Sequence, residues 1–195
     1  MKHLDYPEGT TFIDQDEAKG LLITHITTRG ELDRWEQDNI VEALIWLDKT
    51  KPTDILNERF IKELHLRMFR NVWDWAGKFR KSDKNIGGTW YQVPMSLKNL
   101  CDNTNLRIKL HKESFDEIAV NFHHRLVFIH PFPNGNGRHS RLMTDLLLEN
   151  VLGCSRFTWG SKHLSKSGNV RDQYIAALRT ADKHDFGPLL EFVRA

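Results

Sequence analysis

His130-Pro131-Phe132-Pro133-Asn134-Gly135-Asn136-Gly137-Arg138-His139-Ser140-Arg141 is the stretch on which the fold turns. It follows an apolar run, Leu126 to Ile129, and leads into a second apolar pattern through Leu142, Met143, Leu146 and Leu147. Pro131 disfavours helix at the residue before it, so a helix should stop at His130. Gly135 and Gly137 allow backbone angles that turn successive N–H groups toward one point and make an anion-binding concavity. A helix beginning just after them adds unpaired N–H groups and its positive dipole end. Arg138 and Arg141 stand at i and i+3, on one helical face, where both forked donor groups reach the same anion. His130 is the neutral base at the rim. Together these residues suit a polyphosphate held still while a neighbouring hydroxyl loses its proton. By themselves, the same residues also read as a helix-ending histidine, a glycine turn and two solvated arginines.

The stretch resembles the signature of the Fic family, His-Pro-Phe-x-Asp/Glu-Gly-Asn-Gly-Arg-x-x-Arg, and departs from it only at Asn134. The resemblance implies an all-α Fic-type helical bundle with a small β-hairpin flap. It implies a protein adenylyltransferase that moves AMP from ATP to a Ser, Thr or Tyr hydroxyl of a target protein. In that frame His130 is the general base, and Arg138 and Arg141 clamp the β- and γ-phosphates. Asn134, Gly135, Asn136 and Gly137 complete the nucleotide site, with the Asn136 side-chain amide adding to the backbone donors. Tyr174, on the last helix, lines the base pocket. Most family members use a carboxylate at position 134 to bind the Mg2+ that bridges two phosphates. Asn134 offers only a neutral carbonyl oxygen, a weaker ligand for a hard cation. Phosphotransfer of the Doc type, or a catalytically silent binding or toxin–antitoxin module, stays open beside adenylyl transfer.

Two further segments carry parts of the resemblance. Thr27-x-x-x-Glu31 has the spacing of the family's N-terminal inhibitory motif, whose glutamate pairs with the second signature arginine, here Arg141, although Leu32 stands where Gly or Asn is expected. Glu31 reads equally well as a first-turn acid favoured by the helix dipole. Residues 82–94, with Gly87-Gly88 between short β-compatible runs, read as a hairpin or as a connecting loop. The resemblance favours the hairpin, with Ile86, Gly87, Gly88, Thr89 and Trp90 registering the target chain over the active site. Trp75-Ala76-Gly77-Lys78-Phe79-Arg80 leads into it in the family manner. Tyr6 to Thr11 together with Thr27 to Asp33 resembles the mobile mystery protein B subgroup, bacterial Fic proteins encoded beside a helix-turn-helix regulator. That regulator is the expected partner.

Around these motifs the chain is ordinary. Its 195 residues suit one domain, with residues 1–30 as an arm packed on a Fic domain of residues 31–195. A net charge of +2 with 28% charged residues describes a plain surface and argues against direct nucleic-acid binding. No signal peptide or membrane-spanning run is visible, and Cys101 and Cys154 suit reduced structural thiols, so a cytoplasmic setting is expected. His123, His124, His130 and His139 lack metal-ligand spacing, because the adjacent pair points apart on a helix. Trp35, Asn39, Ala43 and Trp46 form one helical row, beside Ile40, Leu44 and Leu47. Thr53 or Asp54 should cap the next helix, which carries Phe60, Ile61, Leu64 and Met68. Ser114 should cap the helix that delivers His130. Phe69, Trp73, Trp75, Phe79 and Phe132 read as core.

Overall fold

The computed structural model describes residues 15–161 and 170–195; residues 1–14 of the expected arm, and residues 162–169, lie outside the described residues. The elements in order are α1 (Gln15–Ala18), α2 (Arg29–Thr50), α3 (Glu58–Phe69), a 3-10 turn (Trp90–Gln92), α4 (Val93–Leu110), α5 (Phe115–Ile129), α6 (Asn136–Leu146), a π-helical segment (Leu147–Val151), α7 (Val170–Ala181) and α8 (Gly187–Arg194). Helix α2 packs on α3, α4 on α5, α5 on α6, and α7 on α8, around one continuous core. No strand occurs among the described residues, so the fold is the expected helical one without its hairpin.

Helix ends follow local chemistry. Thr28 and Glu31 form a capping box at the start of α2, and Ser114 and Glu117 form another at α5, as the Ser114 reading requires. Helix α3 is capped by Asn57, not by Thr53 or Asp54: its Oδ1 accepts the Phe60 N–H at 2.8 Å. The Asn57 amide also donates to the Asp54 carbonyl and carboxylate, both at 3.1 Å, which holds residues 54–57 as a lead-in rather than a helical turn. In α2 the buried stripe is Leu32, Glu36, Asn39, Ile40, Ala43 and Leu47, while Trp35 and Leu44 face outward. Of the expected rows, Asn39, Ile40, Ala43 and Leu47 are buried, and the Glu36 carboxylate lies inward where Trp35 was expected.

Residues 82–89 form a loop, and the physical reason lies in two side chains. The Arg80 guanidinium, fully buried, collects carbonyls from both ends of the loop, including those of Ser82 and Gly88. The Asp83 carboxylate accepts the Trp90 N–H at 2.8 Å and starts the 3-10 turn. Backbone groups that a ladder would have paired are thus occupied by side chains. The described part of the arm is stitched to residues 72–75: Leu22 N–H donates to the Val72 carbonyl, Asp74 N–H to that of Gly20, and the Trp75 indole to that of Glu17.

Candidate active site

Pro131 excludes a helical conformation at His130, which caps α5 in the left-handed region (φ 52°, ψ 61°) while its N–H still closes on the Leu126 carbonyl. His130 is 5% exposed. Its Nδ1 lies 3.3 Å from the Val127 carbonyl, which can only accept, so Nδ1 carries the proton and Nε2 is the basic nitrogen. Burial pushes the His130 pKa down to about 4; the Arg80 and Lys84 charges push the same way, against the Val127 bond. The ring is therefore neutral, as a general base must be.

The turn after it is built from beneath by α3. Phe132 is fully buried and stacks on His65 with centroids 3.7 Å apart. Gly77 N–H donates to His65 Nδ1 at 3.0 Å, so the proton is on Nε2, which donates to the Asn134 carbonyl at 3.0 Å. Burial holds His65 well below the usual histidine range. Gly135 (φ 77°) precedes α6, and a Cβ there would lie 2.6 Å from the Phe69 ring. No side chain other than hydrogen fits. At Gly137 a Cβ would meet nothing within 4 Å, which leaves the first turn of α6 open to approach. His65 was not among the residues singled out from sequence. Its signal is a histidine between Leu64 and Met68 on the apolar face of α3.

Asn136 departs from expectation. Its Oδ1 accepts the Phe132 N–H at 3.0 Å and its Nδ2 donates to the Phe132 carbonyl at 2.8 Å. Both ends of the amide are spent on the loop, so the side chain shapes the turn and the anion donors left to α6 are backbone N–H groups. Asn134 Oδ1 accepts the Gly135 N–H at 2.7 Å. Among the described residues there is no cluster of three or more His, Cys, Asp or Glu able to hold a metal ion.

The two arginines leave α6 in different company. Arg138 Nη2 lies 2.6 Å from Glu36 Oε2, and its guanidinium sits 5.0 Å above the Phe69 ring. Glu36 is 4% exposed, and its other oxygen accepts the Trp73 indole N–H at 2.7 Å. Arg141 Nε donates to the Gly137 carbonyl at 3.3 Å, and its guanidinium stands 5.7 Å from the Tyr174 ring. Tyr174 in turn bonds His123 Nε2 through its hydroxyl at 2.8 Å, and burial pushes its pKa up to about 12. His123 is thus a buried partner of Tyr174 and Thr144, its pKa pushed down to about 3 by burial. Glu31 does not face Arg141. Its carboxylate accepts the backbone N–H groups of Thr27 (2.9 Å) and Thr28 (3.0 Å), which pull its pKa down to about 2. The carboxylate that meets the first of the two arginines, Arg138, is Glu36, five residues on. Its signal in the sequence was an acid on the stripe of Leu32, Asn39 and Ala43.

With this geometry in hand, the matches to known proteins are specific. The family model described as Fic/DOC family matches residues 55–148, which include the whole His130–Arg141 stretch. Protein adenylyltransferase Fic of Drosophila mojavensis is 31% identical over 140 residues, covering 68% of this chain and 26% of that protein. The protein of the same name from Aedes aegypti is 29% identical over 199 residues, covering 95% of this chain and 37% of that one. This chain therefore spans well under half the length of the curated relatives it matches. Among solved structures, Fic-1 from C. elegans matches with a TM-score of 0.68 at 25% identity, over 90% of this chain and 51% of that one. BepC protein from Bartonella tribocorum, solved with bound AMPPNP, matches with a TM-score of 0.68 at 17% identity, over 93% and 97% of the two chains. That similarity is one of fold.

Proposed function

The chain belongs to the Fic/DOC family, and from that premise we propose that it transfers AMP from ATP to a Ser, Thr or Tyr hydroxyl of a target protein. The observation that carries this is a neutral His130, protonated on Nδ1, beside a helix start that bears Arg138 and Arg141. His130 Nε2 takes the hydroxyl proton as the oxygen attacks the α-phosphorus. The bond from that phosphorus to the bridging oxygen breaks, and pyrophosphate leaves with the electron pair. The first N–H groups of α6 and the two guanidinium groups stabilise the charge gathering on the leaving group. The Arg141–Tyr174 contact supports a base pocket at α7. Asn134 fits magnesium poorly, since its Oδ1 is neutral and bonded to Gly135 N–H. A bound cation would offset the charge of the nucleotide's phosphates, and Asn134 would offer it only a weak neutral oxygen.

The test uses ATP labelled at the α- or the γ-phosphate, with native protein and His130→Ala. Protein labelled from the α-position, and about 100-fold or more weaker labelling with His130→Ala, is the expected outcome. Label from the γ-position alone would replace this assignment with phosphotransfer, the reading that Asn134 keeps in view. ATP binding without label, even after Glu36→Gly, would leave a binding module. A cytoplasmic setting, consistent with free Cys101 and Cys154, and a helix-turn-helix partner belong to the same proposal. No helix among the described residues is long and apolar enough to cross a membrane.

Regulation follows the carboxylate that meets Arg138. Glu36 holds Arg138 in an ion pair backed by the Trp73 indole, so a γ-phosphate must compete with it for the guanidinium. Inhibition is therefore assigned to Glu36, and Glu31 with Thr27 to the start of α2.

A further inference from the structure

Arg80 has a wholly buried side chain that no step of the proposed reaction uses. Its guanidinium draws together carbonyl oxygens from two separate segments. Nε donates to His130 at 2.7 Å and Nη2 to Ile129 at 3.4 Å, both at the C-terminal end of α5. Nη1 donates to Ser82 at 2.9 Å and Nη2 to Gly88, in the loop that lies against the active site. The Arg80 N–H adds a bond to the Pro131 carbonyl at 3.0 Å. The one carboxylate on it, Asp83, stands 3.5 Å from Nη1 and is 61% exposed, so carbonyl dipoles balance most of the charge.

Burying a cation is expensive, and an apolar residue would fill the same volume. The planar fork does something an apolar residue could not. It ties the backbone of His130 to the 82–88 loop through one rigid group. The same loop touches the base directly: a Cβ on Gly87 (φ 101°) would lie 2.7 Å from the His130 Cβ and 3.3 Å from Arg80 Nη2. Loop, guanidinium and the His130 backbone meet at one point.

We propose that Arg80 is a positioning residue for the transfer reaction: its guanidinium couples the loop over the active site to the backbone of His130, so that base and loop keep one register. The proposal rests on His130 being the base in adenylyl transfer. It concerns geometry, which can be read without turnover. Lysine retains the charge but lacks the fork, whereas glutamine lacks the charge and keeps only two donors.

Arg80→Lys and Arg80→Gln are compared with native protein by thermal melting, ATP affinity, kcat and KM for labelling from α-labelled ATP, and nitrogen NMR of the His130 ring. The expected result is a folded protein with unchanged ATP affinity and kcat lowered about 100-fold, the cost of a misplaced catalytic group. The His130 signals should lose their single Nδ1-protonated form in both variants. In Arg80→Gln alone the ring should also titrate at higher pH, because a neighbouring cation is gone. Native His130 signals in folded Arg80→Lys would overturn the proposal even if the native protein proves unable to label a target. Unchanged kcat, a loss of ATP affinity equal to the loss of rate, or failure of Arg80→Lys to fold would overturn it too, as marks of no role or a purely structural one.

Discussion

At the scale of single residues, two side chains decide how strongly the site engages a nucleotide. Asn134 presents an amide where the family signature carries an acid, and its oxygen is bonded to the Gly135 N–H. Asn134→Asp places a full negative charge one residue before the anion turn and gives a hard cation a proper ligand. It should raise labelling from α-labelled ATP by roughly 10-fold at limiting magnesium and lower the magnesium concentration for half-maximal rate. An unaltered magnesium titration would show that position 134 does not meet the cation. Glu36 is the other. Glu36→Gly frees Arg138 and should raise self-labelling by about 10-fold or more, while the orphaned Trp73 indole N–H costs about 1–3 kcal/mol in stability. Glu31→Gly should leave the labelling rate unchanged, because its carboxylate is bonded to Thr27 and Thr28. A rise with Glu31→Gly and none with Glu36→Gly would reverse the assignment.

At the scale of elements, helix α3 is the support on which the turn is built. Its His65 holds the Asn134 carbonyl, its Phe69 forces glycine at position 135, and its Ile61 carbonyl accepts from His139 of α6 at 3.0 Å. The N-cap of α3 therefore bears on the site from a distance. Asn57→Ala should cost about 1 kcal/mol in thermal or chemical denaturation, the usual value of a capping side chain. Thr53→Ala, four residues earlier, should cost close to nothing. Equal losses would place the cap where the sequence alone suggested. The 82–89 loop makes the same point in reverse. Its sequence suits a hairpin, but the bonds that hold it come from Arg80 and Asp83 and not from a facing strand.

For the whole molecule, buried neutral histidines make stability depend on pH. His65, His123, His130 and His139 are pushed down by burial, the last three to about 3, 4 and 4 from an ordinary 6.5. The unfolded chain takes up these protons near pH 6.5 while the folded chain refuses them, so stability falls as pH drops from 6.5 toward 4. Each histidine removes roughly 1.4 kcal/mol per pH unit in that window. Asp145, pushed up to about 6 by burial, acts in the opposite direction and offsets part of one of them. The melting temperature should fall steeply between pH 7 and pH 5, and the activity should fall with it. His130 itself stays neutral to about pH 4. A melting temperature unchanged over that range would contradict neutral burial of these rings.

The signature stretch, read in isolation, already determined the helix stop at His130, the glycine turn and the new helix. Those features depend on neighbours within a few residues: a proline's ring, a missing Cβ and the 3.6-residue turn of a helix. Burial of Phe132 and the Ser114 cap were legible for the same local reason. The partners of each polar group were not. Glu36 meets Arg138 across 102 positions, His65 meets Asn134 across 69, and Arg80 meets His130 across 50. Periodicity assigns a residue to a face, but only the packed chain decides which buried donor finds which acceptor, since most desolvated polar groups bond whatever the fold brings beside them.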